Sequence, residues 1–253
     1  MDWTAEASLL SVRAHGENGA IIEVLAKEQG RFVGFVRGGT GRTMRPVLQI
    51  GNRVKANWRA RLSEHLGTFT IEPLKARAAL AMHDPLHLSA LMTACALVRI
   101  LPERHPYPKL TTIFEAVLDE LGDSTIWPIF VRFELALLEE MGFGLDLSNC
   151  AVNGTSDNLT HISPRSGRAV SAQAAEPYIK KLYSLPPFFL NPMAEATPAH
   201  IHNGFAVTGH FLQTRLFAHL EKELPEARAR MLNLLERDLP LAENESAINS
   251  TPK

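Results

Sequence analysis

Apolar and polar side chains alternate at a period of two from DWTAEASLL through TFTIEPLKA, and at a period near 3.6 thereafter. Residues 2–13 and 20–27 flank His15-Gly16-Glu17-Asn18-Gly19, a cluster of turn formers, and so predict a β-hairpin. Glu28-Gln29-Gly30 turns the chain into a third strand, RFVGFVRG, with Phe32, Gly34 and Val36 on one face and Val33, Phe35 and Arg37 on the other. Gly38-Gly39-Thr40-Gly41 then predicts a mobile loop with Arg42 and Arg45 at its far side. Beyond it Val54, Ala56, Trp58 and Ala60 alternate with Arg53, Lys55, Asn57, Arg59 and Arg61, and Gly67 opens a fifth strand. Five short strands with tight turns over residues 1–77 predict a closed barrel of the OB type.

Residues 78–253 read as a helical domain, which makes the fold class α+β. Asp84-Pro85 supplies an N-cap and a first-turn proline for a helix ending near Pro102, and the turn ERHPYPK follows. Residues 110–121 give a second helix and 126–141 a third, whose stripe is Ile129, Phe130, Phe133, Leu137, Leu138 and Met141; short loops between them suggest an antiparallel bundle. Residues 145–175 are polar and irregular, Pro177–Leu185 reads as a short helix, and Thr197-Pro198 begins a long one running to Leu220. From about residue 240 the apolar content is too low to pack, which predicts a frayed tail.

Charge changes this picture. The chain is almost neutral, at net −1, yet residues 1–77 carry 12 basic and 7 acidic side chains and the rest 14 and 20. Arg31, Arg37, Arg42, Arg45, Arg53, Lys55, Arg59 and Arg61 lie in one stretch that contains no Asp or Glu. A solvated face usually mixes signs, so a single-sign run suggests a phosphate partner, whose neutralisation releases counterions. Phe35 offers a ring on which a base can stack; Trp58 is a second such ring or, as its alternation with Val54 and Ala56 favours, a side chain buried in the barrel. These eight cations and Phe35 are the candidate nucleic-acid contacts. No basic leader or long apolar run opens the chain, and the expected location is the cytoplasm.

Catalytic signatures are missing. The sequence holds no G-x-S-x-G, no H-E-x-x-H and no Walker A motif, and GGTG lacks the Lys and the helix start that a phosphate-binding turn requires. His200, His202, His210 and His219 read as ordinary satisfied or solvated histidines, and only Glu134, between Phe133 and Leu135, reads as a partly buried carboxylate, with Arg132 or another Arg as its partner. Cys150, Asn153, Ser171 and Ala174 have the spacing of a C-x-x-C…C-x-x-C ribbon in which three of the thiolates are absent, and His161 would add only a second ligand. Neither a metal nor a cofactor is expected. Cys95 and Cys150 sit in segments of different kinds, which argues against a disulfide.

The order of these features resembles the RecO family of bacterial DNA-repair recombination mediators. The resemblance rests on FVRGGTGR…RPVLQIG after the third strand, on VRFELALLEEMGFGLDLSNC and on SPRSGRAVS, and it reaches to about residue 235. It implies a protein that is not an enzyme, binds single- and double-stranded DNA without strong sequence preference and anneals complementary strands. With its partner RecR it would load RecA onto DNA coated by single-strand-binding protein (SSB). Many family members carry a four-cysteine zinc ribbon at the positions held here by Cys150, Asn153, Ser171 and Ala174, so residues 145–175 would be a degenerate version. The resemblance further implies that the helical domain recognises the acidic SSB C-terminal tail, which ends in an apolar residue. Arg132, between Val131 and Phe133 and three residues after Ile129, is the candidate receptor. An OB protein that binds RNA or serves translation shares every charge argument and is the alternative.

Overall fold

The computed structural model describes residues 1–62 and 64–241, so the expected frayed tail lies almost wholly outside the described residues. Strands β1 (Asp2–His15), β2 (Gly19–Ala26), β3 (Gly30–Val36), β4 (Arg53–Arg59) and β5 (Thr68–Lys75) close into a barrel in the order β1-β2-β3-β5-β4, with β4 returning to β1. The 14-residue β1 makes closure possible: its first half pairs with β4 and its second with β2, across a register shift between Leu9 and Ser11. Alternation fills the interior with Leu9, Ile22, Val24, Val54, Ala56, Trp58 and Phe69. Trp58 ends inside, as its spacing predicts, 5.1 Å from the Phe32 ring and 6.4 Å from that of Trp3. The rings leave no room beside Gly67 (φ +70), where a Cβ would lie 2.3 Å from the Trp58 indole nitrogen, so the residue before the fifth strand must be glycine.

Helix α1 (Ala78–Ala81) follows the barrel, and α2 (Pro85–Val98) and α3 (Pro108–Asp119) belong with it to one compact unit, Met1–Ser124 together with Pro225–Leu232. Asp84 caps α2 by accepting from the Leu86 amide at 2.8 Å, ahead of Pro85. Ion pairs then fix helices to strands. Glu23 on β2 receives Arg99 at 2.7 Å and Arg31 at 3.0 Å. Burial works against that carboxylate, yet hydrogen bonds and charge from Arg99, Ser11 and Arg31 hold it below the usual carboxylate range. A depressed carboxylate stabilises the fold at neutral pH and loses that contribution as pH falls through its folded value. Arg77, wholly buried, donates to Asp119 at 2.9 Å and to Ser8 at 2.9 Å, and lies 2.7 Å from Glu115.

The loop between β3 and β4, whose glycines mark it as mobile, also carries contacts of its own. Residues 37–52 wind through successive turns, and Leu48 enters the barrel core. Buried Asn52 pins the loop by donating to Pro46 O at 3.1 Å and Val47 O at 3.0 Å, while the Thr40 amide reaches Asn18 O across the β1–β2 turn.

The second unit is Thr125–Leu224 with Asn233–Lys253. Helix α4 (Ile126–Glu140) packs on a later helix, α6 (Pro198–Phe211), and belongs to a different unit from α2 and α3, with which the expected bundle grouped it. Gly204 lets the two approach, since a Cβ there would come within 2.8 Å of Val131. Glu134 is buried at their contact and accepts from Thr208 Oγ1 at 2.5 Å. Strands β6 (Leu159–Ile162), β7 (Ala169–Ser171) and β8 (Tyr183–Ser184) form a small sheet, with helix α5 (Ala172–Ala175) after β7. The predicted helix over 177–185 is instead a 3₁₀ segment, Glu176–Lys181, followed by β8. Helix α6 continues through π turns to Phe217, and α7 (Glu226–Asp238), with its mostly charged sequence, escaped the reading by apolar spacing.

The four ribbon positions do cluster, but without the chemistry of a metal site. Cys150 Sγ accepts the Ser171 amide at 3.3 Å and the Val152 amide at 3.5 Å, Asn153 donates to Ser171 Oγ at 3.3 Å, and Ala174 packs on the small core of Cys150, Val170 and Ala175. Burial pushes the thiol up, but hydrogen bonds from Ser171, Asn153 and Val152 outweigh it and bring it down to about 6. One thiolate and two neutral side chains cannot hold a structural zinc ion. Cys150→Ala is therefore expected to cost about 1–3 kcal/mol in urea unfolding by stranding two amides. A chelator should leave the melting temperature unchanged, and a melting temperature lowered by chelator, or one zinc per chain by elemental analysis, contradicts this reading.

Candidate nucleic-acid interface

Strand register places the outer-face residues more firmly than sequence could. Arg13 pairs with Ile21, Ile21 with Phe35, Phe35 with Thr68 and Thr68 with Arg59, so these five lie in one row across β1, β2, β3, β5 and β4. Directly paired residues face the same side of a sheet, and this row faces out. Arg13 and Arg59 are exposed at its ends, with half-buried Ile21, Phe35 and Thr68 between them. Phe35 lies edge-on to His15, ring centroids 6.0 Å apart, and over the bare backbone of Gly19. The row thus has an apolar centre between two guanidiniums, with Asp2 beyond Arg59 as its one acid.

The β3–β4 loop extends this strip. Thr40, Arg42, Arg45, Pro46 and Gln49 line a shallow depression, and Thr40, Arg45 and Gln49 also border an apolar one formed with Ala14, Ala20 and Leu48. The Thr40–Asn18 bond joins the loop to the hairpin that carries His15. Arg13, Arg37, Arg42, Arg45, Arg59 and Arg61 are all exposed, and none makes an ion pair with a described residue. Arg13 and the apolar Ile21 escaped the sequence reading because both lie before the single-sign run.

Three of the expected contacts have other partners. Arg31 is mostly buried, donates to Leu101 O at 2.8 Å and pairs with Glu23 and Glu103, so it fastens the barrel to the following helices. Arg53 meets Glu6 at 2.6 Å and Lys55 meets Glu72 at 3.3 Å. The stretch without acids in sequence thus has acids beside it in space, supplied by β1 and β5. These exposed pairs contribute little to stability, but they cancel much of the local field.

Arg132 lies on α4, half-buried among Pro128, Ile129, Leu135 and Ala136, which are themselves only partly covered, and it pairs with no described carboxylate. Apolar ground and a free guanidinium therefore coincide there. Among the described residues no group of three or more His, Cys, Asp or Glu converges as a cation site, and no helix is long and apolar enough to cross a membrane.

A five-stranded closed barrel with a basic strip broken by one aromatic ring defines an OB-type protein suited to a phosphate-rich chain. The family models for Recombination protein O, N terminal and C terminal, match residues 1–77 and 82–224. The chain is 49% identical over 241 residues to the DNA repair protein RecO of Jannaschia sp., covering 94% of this chain and 98% of that one. It is 46% identical over 237 residues to the one from Phenylobacterium zucineum, covering 93% and 98%. With Rhodospirillum centenum RecO it shares 48% identity over 236 residues, covering 92% and 94%. The chain belongs to the RecO family of DNA repair proteins.

The placement of charge predicts how salt acts on binding. Each phosphate contact on a single strand contributes about 0.7 to the log–log salt slope. Arg42→Ala with Arg45→Ala is expected to reduce the slope by roughly 1.4, while Arg53→Ala with Lys55→Ala should change it by less than about 0.5 because those cations already face carboxylates. Equal reductions from the two pairs would contradict the assignment.

Proposed function

We propose that this chain binds single- and double-stranded DNA through the barrel strip, without reading base sequence, and anneals complementary strands without catalysing a covalent reaction. The carrying observation is the row Arg13–Ile21–Phe35–Thr68–Arg59, continued by Arg37, Arg42 and Arg45, which are exposed and pair with no described carboxylate. Guanidiniums at this spacing contact phosphates, which position a strand, while Phe35 gives any base a face to stack on. Membership of the RecO family supports extending the role to loading RecA together with RecR onto SSB-coated DNA in the cytoplasm. In this reading Arg132 grips the carboxylates of the acidic SSB tail, and the apolar surface around it takes the tail's terminal residue.

Two measurements address the proposal. Fluorescence anisotropy with labelled single-stranded DNA should give micromolar or tighter binding that weakens steeply with salt and resists an RNA competitor of equal length. Preferential displacement by RNA would favour an RNA-binding OB protein instead. Arg132→Glu should lower affinity for an SSB tail peptide at least tenfold and leave DNA binding intact. Undiminished peptide binding would remove Arg132 from the receptor.

A further inference from the structure

We propose that the apolar depression between the β1–β2 hairpin and the β3–β4 loop takes one unstacked nucleobase, whose own phosphate rests on Arg45. The inference rests on the DNA-binding reading above and names where on that surface a base is held.

The depression exists because small residues meet there. Ala14 on β1 pairs directly with Ala20 on β2, and neither side chain is long enough to fill the space beside the loop. Gly39 brings the loop close, since a Cβ on it would lie 2.6 Å from that of Ala20. Val12, Leu48 and Ile50 complete an apolar floor. The hollow measures about 480 Å³, within the roughly 300–1,000 Å³ that small-ligand pockets occupy. Contacts within the chain build its walls. The Thr40 amide reaches Asn18 O at 3.4 Å across the hairpin turn, the Gly51 amide reaches Leu9 O on β1 at 2.8 Å, and Leu48 packs in the barrel core.

The rim suits a base. Thr40, Arg45 and Gln49 border the hollow. The Gln49 side-chain nitrogen donates to Arg45 O at 2.7 Å, and neither the Gln49 amide oxygen nor the Thr40 hydroxyl has a hydrogen-bond partner among the described residues. An amide oxygen accepts and a hydroxyl does either, so together they can meet the pairing edge of any base, which always carries a donor. The hollow therefore selects unpaired bases without selecting sequence, and a base locked in a duplex cannot enter it. Thr40, Arg45 and Gln49 also line the neighbouring depression with Arg42, so a base seated in one sets its backbone over the other. Among the described residues no carboxylate lines either depression. A nucleotide supplies both the apolar face and the anion that this surface calls for, whereas a neutral or basic peptide supplies only the first. Arg13, one residue before Ala14, starts the row through Phe35, so the hollow adjoins the strip.

Ala14→Leu and Gln49→Leu test this against three ligands: an oligothymidine 12-mer, a 12-mer with the same phosphates and no bases, and a 12-base-pair duplex. Ala14 is exposed, so leucine there fills the hollow and displaces no core side chain. Ala14→Leu should weaken oligothymidine binding at least about fivefold, the low end of what one stacked base contributes. It should leave the baseless chain and the duplex within about twofold and the salt slope unchanged, because the phosphate contacts persist. Gln49→Leu should weaken oligothymidine binding by a smaller factor and spare the other two ligands. If Ala14→Leu lowers the melting temperature, Gln49→Leu decides by the same comparison. Oligothymidine binding of wild-type strength in the folded variants overturns the proposal, and so does an equal loss on the baseless chain. A wild-type protein that binds none of the three in a salt-dependent way sinks the DNA-binding reading itself.

Discussion

Closure of the barrel is the constraint from which the rest follows. Five strands that leave no free edge give every residue of the sheet one of two fates, inside among Trp58, Phe32 and Phe69 or outside on a surface with a fixed neighbour on either strand. The long, register-shifted β1 and the glycines that clear room for the rings make that closure sterically possible. Once it is closed, the outer surface is divided. Around Glu23, Arg31, Arg77 and Glu115 the charges face one another and tie strands to helices. Around Phe35 the arginines make no ion pair with a described residue.

That division separates structural cations from available ones, and sequence alone could not draw it. The eight cations from Arg31 to Arg61 look alike when counted along the chain. In the fold they part into Arg31, spent on Glu23 and Glu103; Arg53 and Lys55, each answered by a carboxylate on a neighbouring strand; and Arg37, Arg42, Arg45, Arg59 and Arg61, left open. Cross-strand neighbours are set by register, and register depends on closure and on the bulge in β1, neither of which leaves a local signature.

What was legible follows the same logic. Period-two alternation put Trp58 inside and Phe35 outside, and Asp84-Pro85 marked the start of α2, because burial and capping act between residues close in sequence. In the β3–β4 loop the glycines are a local signal, whereas the contacts of Asn52 and Leu48 at its far end leave none. Pro177–Leu185 misled because a short apolar run suits a helix turn and a small strand equally well. Cys150, Asn153, Ser171 and Ala174 lie together in the fold, the first three joined through hydrogen bonds and Ala174 packed beside them.

The account stands on one surface, the row through Phe35 and the adjoining loop, as the place where nucleic acid lies. Photocrosslinking of single-stranded DNA carrying 5-bromodeoxyuridine, with the attached peptides mapped by mass spectrometry, tests it directly. The account predicts adducts at Phe35 and His15 and in peptides carrying Arg42 and Arg45. Adducts concentrated on the face of Glu6, Lys55 and Glu72, or within Thr125–Leu224, would contradict it.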